Sequence, residues 1–258
     1  MKSRLVLNLA LAALLLGLGL FAWFHSKTAP QPAYHLSAQA PATATRIVLS
    51  RPGQPELKLE KGPSGWQLTA PFTARADTPA VERLLTLLAA TSARRFPADD
   101  PARFGLDQPM LRLAINNQEF IFGTQQPITG EQYVATGGSV YLVASRYLAD
   151  ALQPATVLAS RHLFGHDEIP AGIELAGAEN APPKQWLQSW REATSLVTQP
   201  YAGTRPLEQI RVRLASGATL TMSILQREPE LVLLRADEKL QYHFPAETGK
   251  RLLHPAAN

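Results

Sequence analysis

The amino-terminal end of the chain carries a long run of apolar residues. Twenty positions, Leu5 to Phe24, contain a single polar side chain, Asn8. An α-helix rises about 1.5 Å per residue, so a helix over this run would be about 30 Å long, one hydrocarbon thickness of a bilayer. The pattern predicts a transmembrane anchor at residues 5–24, preceded by a cytoplasmic amino terminus at residues 1–4.

The charges that flank the apolar run predict its orientation. Lys2 and Arg4 precede it, whereas only His25 and Lys27 follow it closely. Basic residues are retained on the cytoplasmic side, so this bias favours an inside amino terminus. The sequence therefore predicts a single-pass protein of the cytoplasmic (inner) membrane with an extracytoplasmic, periplasmic carboxyl-terminal domain.

A cleaved signal peptide is the alternative interpretation of the same run. Its apolar core would hold about 7–15 residues and be followed closely by small residues at the cleavage site. Here the core is longer and ends in Trp23 and Phe24, and the first Ala-x-Ala pattern lies at Ala38–Ala40. We therefore expect an uncleaved signal anchor.

Residues 25–45 are rich in proline and alanine and contain few large apolar side chains. Such a segment cannot bury enough apolar surface to order itself. It is predicted to be a partly extended spacer between the anchor and the folded part of the chain.

Period-2 alternation of apolar and polar residues begins at residue 46 and predicts a first α+β unit over residues 46–155. Thr78 and Pro79 fit the N-cap and first position of a helix that runs to about Ser92. A second, short helix is predicted from Ser145 to Leu152. The predicted strands are Ile47–Ser50, Leu57–Glu60, Trp66–Leu68, Met110–Ile115, Glu119–Phe122, Gln132–Ala135 and Val140–Val143.

A similar order of elements recurs over residues 156–258, which predicts a second α+β unit, a diverged repeat of the first. Helical spacing over Lys184–Leu196 predicts a helix that packs Trp186 and Trp190. The alternative is that any two antiparallel meanders share alternation and turn residues. The remaining predicted elements are strands at Val212–Ala215, Leu220–Met222, Leu231–Leu234 and Leu240–Phe244 and a helix at Ala246–Leu253.

Together these patterns predict an α+β fold in which antiparallel β-meanders pack against helices, in two related halves preceded by one transmembrane helix. The free edges of such sheets would be available for strand addition by a partner.

Composition excludes several kinds of chemistry. The 258 residues contain no cysteine, which rules out disulfides, thiolate zinc sites and cysteine nucleophiles. The formal charge is +4, but the basic residues are scattered and no basic run exceeds two residues, as at Arg94-Arg95. This argues against nucleic acid; it fits a protein close to anionic lipid or envelope polymer, or a solvated surface that has no partner.

Two histidines form the one metal-site hypothesis. His162 and His166 are four residues apart, and Asp167 and Glu168 add carboxylate oxygens, which suits zinc or copper. Gly165 and a nearby proline disfavour a helix there, so the imidazoles need not face the same way, and a polar loop is the alternative. Metal-assisted hydrolysis stays a minor hypothesis on these two residues.

No other catalytic or cofactor motif is present. Asp99 and Asp100 are adjacent, but general acid–base catalysis needs carboxylates that converge across a cleft. We find no nucleophile elbow, phosphate-binding loop or dinucleotide fingerprint. The sequence therefore predicts no catalytic residue, no cofactor and no enzymatic activity.

Two sets of residues are candidates for interactions. In the apolar run, Ala13 and Gly17 form a small-x-x-x-small pair that would allow close helix–helix contact. In the folded part, aromatic side chains would provide stacking faces for a glycan or lipid if two of them lined one groove. The aromatic candidates are Trp66, Tyr133, Trp186 and Trp190.

Several motifs together resemble a bacterial family, the domain of unknown function 4340. The resemblance is good over about residues 46–165 and loose beyond. It implies single-span envelope proteins, some associated with ABC-type transport systems or gliding machinery, and no established catalytic residues. The motifs are Gly65-Trp66-Gln67-Leu68 with Pro71, the Leu-rich helix after Asp77-Thr78-Pro79, the connector Asp100–Pro109 that contains Phe104-Gly105-Leu106-Asp107, Ile121-Phe122-Gly123, and Gly130–Val134.

The leading expectation is a membrane-anchored, extracytoplasmic accessory or scaffold protein that engages an envelope complex, with an ABC-type transport system as the candidate. A glycan- or lipid-binding envelope module is the alternative. The oligomeric state is left open.

Overall fold

Antiparallel pairing organises most of the folded residues. The computed structural model describes residues 2–25, 33–175 and 184–254. All the strand pairs in these residues are antiparallel. The fold is α+β, as the alternation predicts.

Runs of strands are separated by helices, and among the described residues every α-helix after α1 is short. The helices are α1 (Lys2–His25), α2 (Thr78–Leu85), α3 (Arg146–Ala151), α4 (Ala155–Leu158), α5 (Lys184–Glu192) and α6 (Ala246–Leu253). The strands up to the first meander are β1 (Tyr34–His35), β2 (Arg46–Ser50), β3 (Leu57–Gly62), β4 (Gly65–Ala70), β5 (Ala74–Arg75), β6 (Thr91–Ser92) and β7 (Arg95–Pro97). The later strands are β8 (Leu111–Ile115), β9 (Gln118–Gln125), β10 (Gln132–Thr136), β11 (Ser139–Val143), β12 (Pro170–Glu174), β13 (Val197–Pro200), β14 (Glu208–Leu214), β15 (Thr219–Gln226), β16 (Leu231–Arg235) and β17 (Leu240–Phe244).

Two large sheets share one strand order. The nine-stranded sheet runs β5-β4-β3-β2-β8-β9-β10-β11-β7, and the six-stranded sheet runs β12-β14-β15-β16-β17-β13. Without β3, β4 and β5, the first order matches the second strand for strand. The register shifts between the second and third meander strands in both sheets, at Gln132/Val134 and at Ile224/Gln226. A short helix, α3 or α6, follows each meander.

Helix α2 differs from the sequence prediction at both ends. Asp77, not Thr78, is the N-cap, since its Oδ1 accepts the Ala80 N–H at 2.9 Å. The α-helix ends at Leu85 and continues as a 3₁₀ turn over Thr86–Ala89. Leu87 and Leu88 are buried in that turn. The apolar residues that predicted a longer α-helix therefore lie in a 3₁₀ turn, which is wound more tightly.

The second half of the predicted spacer is ordered, contrary to expectation. From residue 33 the chain packs on the nine-stranded sheet, and Leu36 and Ala44 are buried. Asn116 fixes this segment, because its Oδ1 accepts the N–H groups of Thr45 and Arg46 and its Nδ2 donates to Gln39 and Thr43. The order therefore comes from a distant turn and not from the composition of the segment.

One hydrophobic core joins the two large sheets and helices α2 to α6. Trp186 and Trp190 lie edge to face with ring centroids 6.1 Å apart, as the helical spacing predicts. Both indole N–H groups donate to the carbonyl of Leu252 at the end of α6. The helix that carries them ends at Glu192, four residues before the predicted end.

The outer edges of the two large sheets are poorly suited to strand addition. β7 ends at Pro97, β12 begins at Pro170 and β13 ends at Pro200. Proline has no N–H to donate to a ladder, and proline and short strands are common protections of sheet edges. The expectation that these edges are open to a partner strand is therefore not supported.

Helix α1 covers the apolar run for which a membrane span is predicted. Among the residues that the structure describes, no helix is both long enough and apolar enough to cross a membrane. The anchor at residues 5–24 therefore stays a prediction.

We expect Asn116→Ala to release the segment from residue 33 to residue 45. The change removes the hydrogen bonds to Thr45 and Arg46 and leaves alanine at a positive φ of 53°. It should cost about 2–4 kcal/mol of unfolding free energy. Hydrogen exchange of residues 33–45 measures the release. Asn117→Ala is the control, and equal exchange in both variants would contradict the assignment.

Candidate functional site

The joining segment, residues 159–169, holds the two sheets together. On one side Ala159 bridges Ala76, and the Ser160 N–H donates to the Arg75 carbonyl at 2.7 Å. On the other side His162 bridges Thr194. The segment therefore continues the edge at β5 and reaches the residues that lead into β13.

A buried arginine in β16 fixes the joining segment to the six-stranded sheet. The Arg235 residue is 1% exposed. Its guanidinium donates two hydrogen bonds to the Glu168 carboxylate, at 2.7 and 3.0 Å, and one to the Leu163 carbonyl at 2.6 Å. It also donates to Asp237 at 2.6 and 3.2 Å. A bidentate pair of this kind combines charge with a fixed geometry.

A second arginine connects the nine-stranded sheet to the same network. Arg75 of β5 donates through Nε to Glu238 at 2.7 Å, and through Nη2 to the carbonyls of His162 and Leu163. The Tyr242 hydroxyl donates to Glu238 at 2.5 Å. Two arginines and three carboxylates therefore meet where the two sheets and the joining segment come together.

The ionisation of these groups reflects both burial and pairing. Burial alone would raise the pKa of Glu168, but hydrogen bonds from Arg235 and from the Gly165 N–H outweigh it and hold this pKa below its usual value. The pKa of Asp237 is lowered in the same way, by Arg235 against burial. Burial, with the Glu238 carboxylate beside it, raises the pKa of Tyr242. Glu168 and Asp237 are therefore charged at neutral pH, and the Tyr242 hydroxyl keeps its proton.

A cleft of about 610 Å³ opens beside this joint. Its size falls in the range of small-ligand sites, which often lie between packed units. The walls are about equally polar and apolar and come from β4 and the turn before it, β5, the start of α2, the joining segment and α5. The side chains that line it include Gln67, Arg75, Ser160, Asp167 and Arg191.

Both candidate metal ligands line the cleft, on a segment that forms no helix. His162 and His166 are exposed there. The oxygens of Glu168 are already engaged by Arg235 and the Gly165 N–H. Within residues 2–25, 33–175 and 184–254 no group of three or more His, Cys, Asp or Glu side chains is arranged to hold a metal ion.

The four aromatic candidates do not share one groove. Trp66 lines the cleft but is only 8% exposed. Trp186 and Trp190 are buried against α6. Tyr133 lies elsewhere, with its ring centroid 5.1 Å from that of Phe104. A stacking platform built from two of these residues is therefore not present.

The other sequence candidates lie outside the cleft. Ala13 and Gly17 are exposed on α1, and no heavy atom lies within 4 Å of the position of a Cβ at Gly17. Asp99 and Asp100 are exposed after β7, and an Asp100 oxygen accepts the Arg103 N–H at 3.4 Å. This arrangement is a turn, as expected for adjacent aspartates on a connector.

Sequence reasoning missed the arginines of the joint. Arg235 ends an otherwise apolar strand, Leu231-Val232-Leu233-Leu234-Arg235, in which all five residues are buried. Because a charge in a fully buried strand must be paired, a buried ion pair could have been inferred from Arg235. Its partners, Glu168 and Asp237, are not identifiable from local spacing alone.

The family described as "Domain of unknown function (DUF4340)" matches residues 66–212, more than half of the chain. The chain belongs to the domain of unknown function 4340 family. The match begins in β4, about 20 residues after the start of the close resemblance at residue 46, and ends in β14, beyond the end of that resemblance at residue 165. In the comparisons, no curated protein and no solved structure matches the chain.

The match to the domain of unknown function 4340 includes the joining segment and most of the cleft. Every lining residue except Ser64 and Gly65 lies within it. Arg235, Asp237 and Glu238 lie beyond its end. The family description names no activity, so it adds no catalytic role to any residue of the site.

We expect Arg235→Met to destabilise the protein strongly. The change leaves Glu168 and Asp237 without the guanidinium that pairs them, and breaking a buried pair costs about 3–5 kcal/mol. Urea unfolding measures the loss. Arg112→Met removes an exposed pair with Glu119 and should cost less than about 1 kcal/mol. Similar losses in the two variants would contradict the role given to Arg235.

We also expect the joint to weaken at acid pH. Glu168 and Asp237 have lowered pKa values in the folded protein, so their stabilisation is present above the unfolded values of about 4.3 and 3.9 and is lost as the pH falls further. The unfolding free energy should fall between about pH 5 and pH 2, and less steeply in Arg235→Met. Equal slopes in the two proteins would contradict this assignment.

Proposed function

We propose that this protein is a single-span, non-catalytic accessory or scaffold protein of the cell envelope. Helix α1 would anchor it in the cytoplasmic membrane with the amino terminus inside. The two-sheet domain would then lie on the extracytoplasmic side and engage a membrane complex, for which an ABC-type transport system is the candidate.

The observation that carries this proposal is a rigid domain attached by a short connection to an apolar helix. α1 ends at His25, and the chain is packed on the nine-stranded sheet from residue 33. The domain is in turn locked across its two sheets by Arg75 and Arg235. A rigid body held close to a helix of this kind suits a scaffold that presents a fixed surface.

The distribution of charge supports the same arrangement. Lys2, Arg4 and Lys27 account for three of the four excess positive charges. Residues 28–258 are therefore nearly neutral, and the positive charge is concentrated around the apolar run. Basic flanks orient a membrane helix, whereas a nearly neutral domain argues against nucleic acid as a partner.

A glycan- or lipid-binding module is the second candidate function, and the cleft favours it. Its walls combine Gln67, Asp167 and Arg191, whose planar polar groups can each exchange several hydrogen bonds, with the edge of Trp66. A ligand site in this cleft would use one aromatic residue, whereas a stacking platform needs two.

We further propose that the two sheets descend from one duplicated unit. Both meanders are entered through a proline and an exposed apolar residue, Pro109-Met110 and Pro206-Leu207. Both apolar residues donate their N–H to the neighbouring strand, at Phe122 and Ile224. These details come in addition to the common strand order and bulge, and general features of β-meanders do not require them.

Cell fractionation and crosslinking test the main proposal. The full chain should stay in the membrane fraction after alkaline extraction, and its carboxyl terminus should be accessible to protease only from the periplasmic side. Removal of residues 1–32 should release it. In the full-length protein, a crosslinkable residue at Ile128 or at Arg191 should capture a membrane protein in intact cells.

Two results would contradict the proposal. Full-length protein that is extracted at alkaline pH has no membrane anchor. Turnover of an envelope substrate by the purified protein, abolished by Arg191→Gln, would make the cleft an active site. Gly17→Leu separates the contacts of α1 from those of the domain, because loss of capture in this variant alone would assign the partner to the helix.

A further inference from the structure

We propose that the edge of the domain formed by β7, the outermost strand of the nine-stranded sheet, and by β6 beside it lies against the membrane surface, where Arg94 and Arg95 contact anionic lipid headgroups. This inference rests on the proposed membrane anchor and names the surface that the anchor brings to the bilayer. It differs from the partner contact proposed above, which involves another protein.

The length of the connection limits where the domain can lie. His25 ends α1 and Ala33 is the first residue described in the domain, eight residues later. Eight extended residues span at most about 28 Å. A free spacer over the whole of residues 25–45 would reach more than twice as far, so the ordering of residues 33–45 holds the domain near the end of the helix.

The chain enters the domain at one particular edge. Tyr34 pairs with Ser92 and His35 pairs with Thr91, which forms the two-stranded β1–β6 sheet. The Leu36 N–H donates to the Ala90 carbonyl at 3.2 Å, which continues this contact. The edge that carries β6 is therefore the part of the domain closest along the chain to α1.

A basic pair follows this entry point directly. The Ser92 hydroxyl donates to the Arg94 carbonyl at 2.7 Å and accepts the Arg94 N–H at 3.1 Å, so the turn after β6 is fixed. Arg94 and Arg95 are both exposed. Arg95 begins β7, the outermost strand, and its Nε donates to the Ser139 hydroxyl at 2.9 Å.

The charges around this edge leave a small positive excess. Asp99 and Asp100 follow β7 and are exposed, and Arg103 lies over the Phe104 ring. Together with Arg94 and Arg95, these residues carry three positive and two negative charges. Tyr34 is 38% exposed beside them, and tyrosine is common at the level of lipid headgroups. Basic residues near an anionic bilayer are attracted within a Debye length of its surface.

The far side of the same sheet provides a reference position. Gln54 is exposed in the turn between β2 and β3. In the strand order β3 is six places from β7, the strand that the proposal puts against the bilayer. Neighbouring strands lie about 4.8 Å apart, so about 29 Å of sheet separates these two strands.

The absence of cysteine from the chain allows a direct measurement. Ala93→Cys, between β6 and β7, and Gln54→Cys each introduce one thiol for a fluorescent label. The full chain is reconstituted into phosphatidylcholine vesicles, with or without 30% phosphatidylglycerol. Headgroup spin-labelled lipid then quenches any label that lies at the bilayer surface.

We expect the A93C label to be quenched at least threefold more than the Q54C label, and more in anionic vesicles than in neutral ones. Arg94→Gln with Arg95→Gln should remove the difference between the two lipids. Arg205→Gln, at an exposed position on the connector between β13 and β14, should leave it unchanged.

The outcomes separate this inference from the proposed anchor. Protein that does not float with vesicles overturns the anchor. Protein that floats while both labels are quenched equally overturns the inference and leaves the anchor intact. Stronger quenching of the A93C label that is equal in both lipids overturns the role given to Arg94 and Arg95.

Discussion

The relative position of the two sheets depends on the buried guanidinium of Arg235. A charge at this depth is stable only if it is paired and its N–H groups are satisfied. Glu168, Asp237 and the Leu163 carbonyl meet that requirement, and two of these groups lie on the joining segment. The charge that is costly to bury therefore fixes the segment that links the sheets, and the cleft beside it takes its shape from the same contacts.

A common strand order gives the two units different outer surfaces. In the nine-stranded sheet the face away from the main core carries an aromatic cluster. The ring centroids of Phe96 and Tyr133 lie 5.7 Å and 5.1 Å from that of Phe104. The strand register puts Gln199 and His243 at the positions that correspond to Phe96 and Leu142. Glu230 accepts a hydrogen bond from His243 at 2.7 Å. At these positions the first unit thus carries apolar side chains, and the second carries polar ones beside a small apolar cluster of Leu225, Val232 and Leu234.

Elements whose order depends on local sequence were predicted well. The helix over Ala246–Leu253 has the predicted bounds, the meander strands differ by a few residues at most, and Trp186 and Trp190 pack as the spacing indicates. The elements that were missed depend on distant partners. Asn116 orders residues 33–45, and Arg235 anchors the joining segment, through side chains about 70 positions away. The cleft could not be predicted because its walls meet only after the joint has formed.

The same dependence on distant contacts changes how the spacer relates to function. Composition describes residues 25–45 as a tether that would let the domain move freely above a membrane. Hydrogen bonds from Asn116 and Gln118 instead fix residues 33–45 to the domain and leave only seven residues between it and α1. If α1 anchors the chain as proposed, a partner of the domain would meet a surface whose distance from the membrane and orientation are already restricted. The conformational entropy of residues 33–45 would be lost when the protein folds and not when a partner binds.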